Sequence, residues 1–281
     1  MRFYSVILAA SLAACLGSCA GKPRPETSLK TAFAATMPSA PDLQADDPVA
    51  LSPAAWVRPR NPASLAGRDI EVSSLDDIAL ANKEVVLSFD DGPVPIKTES
   101  ILATLDEFSV KATFLMVGEM AQAHPAIAKK VVAAGHSIGS HTFSHPNLRT
   151  ISFDRAMAEI SKGNNAVAKA ADTDVSFFRF PYLADNAPLR HMLTQRGMVI
   201  MDVQIDSKDY FKDAPAVVAS RTMDALRHRG SGIILMHDIH RRTAAMLPAL
   251  LTQLGAEGYK VVRLVHKKPA GKSMLFASLT H

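Results

Sequence analysis

Beyond residue 67 the chain alternates short apolar runs, rich in Val, Ile, Phe and Leu, with longer segments of helical period. That alternation restricts the fold more than any other feature. Strands are expected over 85–89, 111–116, 137–139, 175–180, 198–201, 232–236 and 261–264. Helices fit between them, over 98–108, 119–134, 153–171, 187–196, 214–229 and 243–257. Strands joined through crossover helices lie parallel, and six or seven such units approach closure. The expected fold class is therefore α/β, a distorted (β/α) barrel of about seven parallel strands. Catalytic side chains of such barrels stand at the C-terminal strand ends. Asp90, Asp91, His141, Arg179, Asp206, His237 and Asp238 all fall at or just past those ends.

The N-terminal part reads differently. Arg2, an apolar run over 3–12 and the small residues after it have the pattern of an export signal, too short to be a membrane span. Cys15 and Cys19, the two cysteines of the chain, each end a lipobox-like run, and Cys19 is preferred as the lipidated residue because it leaves the longer apolar run. An ordinary cleaved signal is the alternative. The expected organisation is a lipoprotein-type signal peptide over 1–19, a Pro/Ala-rich tether over 20–66, the barrel domain over 67–266 and a tail over 267–281. The tether carries Trp56, the sole tryptophan, expected to pack against the domain. The protein is expected to be exported to a bacterial cell envelope, as a periplasmic lipoprotein held to the membrane by its lipid.

Composition excludes several functions. Beyond residue 19 no thiol remains, so a disulfide framework, a zinc–thiolate site and cysteine catalysis are ruled out there. The 31 basic and 27 acidic residues give a net charge of +4, spread without a dense Lys/Arg block. Nucleic acid is not an expected partner.

Four segments carry chemistry. In Ser88-Phe89-Asp90-Asp91-Gly92-Pro93 two adjacent carboxylates follow an apolar strand; alone, this equally describes a capped, solvated turn. His141-Thr142-Phe143-Ser144-His145 supplies two imidazoles four residues apart, a spacing that can aim both at one ion, and a carboxylate from another strand end completes a ligand set with open positions. Arg179-Phe180-Pro181-Tyr182 places a cation at a third strand end, where it can fix a carboxylate. Ile233-Ile234-Leu235-Met236-His237-Asp238 ends a further strand with a histidine able to donate a proton near neutral pH. Of the other histidines, His136 and His240 are expected nearest the rim.

Together these segments resemble the NodB homology domain of polysaccharide deacetylases, carbohydrate esterase family 4. The resemblance runs from about residue 83 to 266. The family's first motif, TFDDGP, corresponds to Ser88–Pro93, its HTxxH-like second to His141–His145, its RxPY third to Arg179–Tyr182 and its LMHD-like fifth to Leu235–Asp238. The fourth departs: Asp206-Ser207-Lys208-Asp209-Tyr210 keeps the acids but has tyrosine in place of the usual tryptophan. Leu183 also stands where a glycine often follows the RxPY tyrosine.

The resemblance implies roles. Asp91, His141 and His145 bind one divalent metal, with zinc ahead of cobalt or nickel. Asp90 is the general base, tethered by Arg179, and His237 is the acid, oriented by Asp209. Tyr182 supplies a backbone N–H to the oxyanion, Leu235 lines a pocket for the acetyl methyl, and Tyr210 is an aromatic wall. The implied reaction is removal of N-acetyl groups from a GlcNAc-containing envelope or exported polysaccharide. Alternatives are an O-acetyl polysaccharide esterase, a small-amide hydrolase of the same fold, or a catalytically silent glycan-binding lipoprotein.

Overall fold

The computed structural model describes residues 64–267. The expected signal peptide, Cys19, Trp56, nearly all of the tether and the tail beyond residue 267 lie outside these residues.

Within them the chain runs β1 (Ala66–Val72), β2 (Glu84–Asp90), α1 (Lys97–Glu107), β3 (Thr113–Met116), α2 (Gly118–Ala123), α3 (Pro125–Ala133), β4 (Ser137–Ser140) and α4 (Phe153–Ala171). It continues through β5 (Phe177–Phe178), α5 (Ala187–Gln195), β6 (Val199–Ile200), β7 (Ile205–Asp206), α6 (Pro215–Arg229), β8 (Gly232–His237), α7 (Arg241–Ala256) and β9 (Lys260–His266). All strand pairs are parallel.

Seven strands form a nearly closed barrel in the order β7-β8-β2-β3-β4-β5-β6. The expectation of about seven parallel strands in a distorted barrel is met, but the seventh is the two-residue β7. The expected strand over 261–264 lies within β9, which pairs with β1 and with the first residues of β2. Ile70, Val72, Val262 and Leu264 from β1 and β9 cluster with Val86, Leu115, Phe177, Val199 and Ile233, so this pair packs across the N-terminal end of the barrel.

β2, β3 and β8 are buried on both faces, which is why their sequences read as nearly continuous apolar runs. In β2, Val85, Leu87 and Phe89 join the outer cluster with the helices, while Val86 joins the inner one. Period-2 alternation then puts Ser88 and Asp90 on the inner face. The same alternation in β8 sends Ile234 and Met236 outward and aligns Leu235 and His237 with the inward Ile233.

One expected helix is divided. The segment 119–134 forms α2 and α3, broken at His124, whose backbone (φ −129°, ψ 54°) is non-helical. Pro125 opens α3, and the residue before a proline is driven out of the helical region. Local capping fixes other ends: the Ser152 hydroxyl accepts from the Arg155 N–H and the Asn186 amide oxygen from the Leu189 N–H. No helix among the described residues is long and apolar enough to cross a membrane.

Candidate active site

Backbone register assembles the site. Asp90, the last residue of β2, is paired with His237, the last residue of β8. Beyond the strand ends the ladder continues: the N–H of Asp91 donates to Leu115 O (3.2 Å), that of His141 to Met116 O (2.8 Å) and that of Arg179 to Ser140 O (3.2 Å). Side chains from four strand ends thereby converge on one rim.

Asp91, His141 and His145 place one ligand atom each within 4.8 Å of one another. Asp91 Oδ1 is 3.6 Å from His141 Nε2 and 3.4 Å from His145 Nε2. That oxygen is buried with no hydrogen-bond partner in the protein. The buried His141 donates its Nδ1–H to Arg179 O at 2.8 Å, which leaves the Nε2 lone pair toward Asp91. Burial, outweighing the neighbouring carboxylates, lowers the affinity of His141 for a proton and keeps it an acceptor. An orphaned carboxylate oxygen beside two imidazoles, one of fixed tautomer, fits a divalent cation.

Asp90 lies beside this cluster, buried, and its Oδ1 accepts from Arg179 Nη1 at 2.7 Å. Arg179 is fully buried, with Nη1 also donating to Ser88 Oγ (2.9 Å) and Nε to Met201 O (3.1 Å). Its guanidinium spans the gap between β2 and β6 and locks the carboxylate in one orientation. Asp90 Oδ2 is 3.7 Å from His141 Nε2.

On the other flank His237 donates Nδ1–H to Asp209 Oδ1 at 2.7 Å, and its backbone N–H donates to Asp209 Oδ2, also at 2.7 Å. The second oxygen accepts as well from the Thr243 hydroxyl. Burial opposes a proton on His237, but the hydrogen bond and charge of Asp209, joined by Asp90 and Asp91, outweigh it and lift the imidazole to about 9. Burial raises Asp209, yet the bonds from His237 and Thr243 hold it below the usual carboxylate range.

Around the rim, the Tyr182 ring meets His145 edge-on at 4.7 Å, its backbone in the left-handed region at φ 58°. Tyr210 lies 5.6 Å from His237 and 4.8 Å from Phe211, and its hydroxyl donates to Asp206 Oδ2 at 2.8 Å. Leu235 is buried and pairs in register with Ser88 and Asp206. Leu183 is exposed beside Tyr182.

His240 is near the site, its ring 5.9 Å from His237. His136 is not: it precedes β4 at the opposite barrel end, where Nδ1 accepts from the Ala112 N–H (3.1 Å) and the ring leans on Phe114. Burial lowers it to about 4, so it is a neutral core histidine. The sequence shows only its closeness to β4, not which end of that strand it occupies.

Sequence reasoning passed over residues that hold these groups. Arg242 Nη1 donates to Asp209 O (3.0 Å) and Phe211 O (2.6 Å), and Arg221 donates to Ser207 O and Lys208 O, so two helices clamp the segment carrying Asp209. Gly163 of α4 lets the loop carrying His141 and His145 approach: an added Cβ would stand 2.2 Å from the Thr142 carbonyl carbon. Glu159 Oε2 accepts from the Ser144 N–H and hydroxyl. These contacts join residues far apart in the chain and leave no local pattern.

With this geometry in place, comparisons with known proteins converge. Residues 78–201 match the family description "Polysaccharide deacetylase". The chitooligosaccharide deacetylase of Azorhizobium caulinodans is 31% identical over 157 residues, covering 55% of this chain and 73% of that protein. The chain belongs to the polysaccharide deacetylase family. Another family member, the Listeria monocytogenes peptidoglycan-N-acetylglucosamine deacetylase PgdA, is 33% identical over 186 residues, which cover 66% of this chain but 39% of that enzyme. Among solved structures, a peptidoglycan deacetylase of Bdellovibrio bacteriovorus superposes with a TM-score of 0.68 at 32% identity, over 76% of this chain and 62% of that one. The polysaccharide deacetylase fold and the rim of chemistry-bearing strand ends therefore occur together in one molecule.

Proposed function

We propose that this chain is a metal-dependent hydrolase that removes N-acetyl groups from a GlcNAc-containing envelope or exported polysaccharide, releasing acetate and leaving a free amine. The observation that carries the reading is the register pairing of Asp90 with His237, which brings a carboxylate fixed by Arg179 and an imidazole bonded to Asp209 to the same rim. Relatives named for peptidoglycan and chitooligosaccharide deacetylation support the substrate class.

Asp91, His141 and His145 would hold the metal. A divalent ion bound there would supply Lewis-acid polarisation of the acyl oxygen and acidify water; zinc would suit the two-imidazole, one-carboxylate donors, with cobalt or nickel as substitutes. Asp90, fixed by Arg179, takes a proton from the attacking water as its oxygen bonds to the acetyl carbon. The backbone N–H of Tyr182 donates to the oxygen on which negative charge develops. As the C–N bond breaks, its electron pair goes to nitrogen and His237 Nε2–H protonates it, so the product leaves as an amine rather than an amide anion. Asp209 keeps His237 in the required tautomer and charged. Leu235 faces the acetyl methyl and Tyr210 walls the sugar beside His237.

The expected organisation adds a lipid on Cys19 and a tether leading to the catalytic domain, which would place the enzyme at an envelope membrane. A Cys19→Ala variant recovered in the soluble fraction supports the anchor, and unchanged membrane association sinks it.

Substrate class is tested by offering peptidoglycan, chitooligosaccharides, poly-N-acetylglucosamine and O-acetylated xylan to the zinc-loaded protein and measuring acetate. Release from an N-acetylated glycan supports the reading. Release from xylan alone makes the protein an esterase, and release from none favours the small-amide hydrolase or silent glycan-binding alternatives.

A further inference from the structure

Asp238 is a buried carboxylate to which the reaction above gives no task. Its Oδ1 accepts from the Gly92 N–H at 2.8 Å and its Oδ2 from the Thr98 hydroxyl at 2.6 Å. That hydroxyl already accepts from the Val94 N–H at 2.8 Å, which orients its proton toward Asp238. The Asp238 N–H in turn donates to Asp90 O at 3.2 Å. Residue 238 therefore grips the chain on both sides of Asp91.

The fit is close. A Cβ on Gly92 would stand 2.0 Å from Asp238 Oδ2, so only glycine at 92 admits the carboxylate. Asp91 itself has φ 80°, a left-handed conformation that a non-glycine residue keeps only where its surroundings over-determine it. From the β3 side the turn is held by Asp91 N–H to Leu115 O and Val117 N–H to Gly92 O. From the β8 side Asp238 holds it.

We propose that Asp238 is a positioning residue for the metal site: by pinning Gly92 to the end of β8 and to Thr98 of α1, it fixes the Asp91 carboxylate toward His141 and His145. The inference rests on the metal-site reading above. It concerns metal affinity and not proton transfer, so it can be read without turnover.

The test is titration of the metal-free, full-length protein with Co²⁺ alone, followed by visible absorption, alongside thermal melts of each metal-free variant. Asp238→Ala is expected to weaken cobalt binding by about ten- to a hundredfold. Asp238→Asn, which keeps an oxygen for the Gly92 N–H, should recover most of that loss. Asp238→Ala binding cobalt as tightly as the wild type, with only its melting temperature lowered, would overturn the proposal and leave Asp238 a fold element. Should Asp238→Ala not fold, Thr98→Val carries the question: weaker cobalt binding supports the proposal, and unchanged binding overturns it. A wild-type protein that binds no cobalt would instead show that the metal-site reading has failed, and this inference with it.

Discussion

Arg179 Nη1 lies 2.7 Å from Asp90 Oδ1 inside the barrel mouth, with neither side chain more than 3% exposed. A buried pair of this kind earns little net stability, but removing one partner strands the other charge. Arg179→Met is expected to destabilise the domain by about 3–5 kcal/mol and to abolish turnover. Urea unfolding of the variant measures this, and a loss below about 1 kcal/mol would mean that water reaches Asp90.

The Asp209–His237 pair predicts a pH signature. The imidazole is raised from its ordinary 6.5 to about 9 in the folded chain. Its stabilising contribution is therefore complete below about 6.5 and is lost as pH rises through about 9. NMR titration of the metal-free protein should find His237 near 9, and in Asp209→Asn clearly lower. The high-pH limb of the rate profile should move down with it, since His237, as the proposed acid, must hold its proton to act.

Glycine contacts give a paired prediction. Gly163→Ala puts a methyl 2.2 Å from the Thr142 carbonyl carbon, backbone that cannot swing aside. Overpacking of this kind costs about 1–3 kcal/mol and should also displace the loop of His141 and His145, weakening metal binding. Gly255→Ala in α7 meets nothing within 4 Å and should stabilise by up to about 1 kcal/mol. Thermal melts of the two variants separate the effects.

Tyr210 is expected to act through its ring. Tyr210→Phe removes the bond to Asp206 from a half-exposed side chain and should cost less than about 1 kcal/mol, with KM raised more than kcat is lowered. Tyr210→Ala removes the wall beside His237 and should lower kcat/KM further. Steady-state kinetics on a GlcNAc oligomer distinguish them.

How much of this was legible in the sequence follows from the physics of each element. β2 and β8 announce themselves because burial on both faces demands unbroken apolar runs, and the polar residues that end those runs are the ones at the rim. The proline at 125 was equally readable as a helix break, yet the apolar period on either side hides it. β7 is two residues long, and in β1 only Ile70 and Val72 are buried, an alternation too short to stand out in the sequence. Asp90, Asp91, His141, Arg179 and His237 stand out because each ends an apolar run or follows one closely, and His145 because it lies four residues past His141. Asp238's grip on Gly92, the seat that Gly163 makes for Thr142 and the clamp of Arg242 on Asp209 depend on partners 20 or more residues away, and only folding reveals them.

The central claim is that one metal site and the Asp90–His237 pair together hydrolyse an N-acetyl group. It is tested most directly by acetate release from an N-acetylglucosamine oligomer with metal-stripped and zinc-reloaded protein, for the wild type beside Asp90→Asn and His237→Ala. The account predicts release only after reloading, and a fall of about two to four orders of magnitude in each variant while both still bind zinc. Release that survives metal removal, or that Asp90→Asn leaves intact, would contradict it.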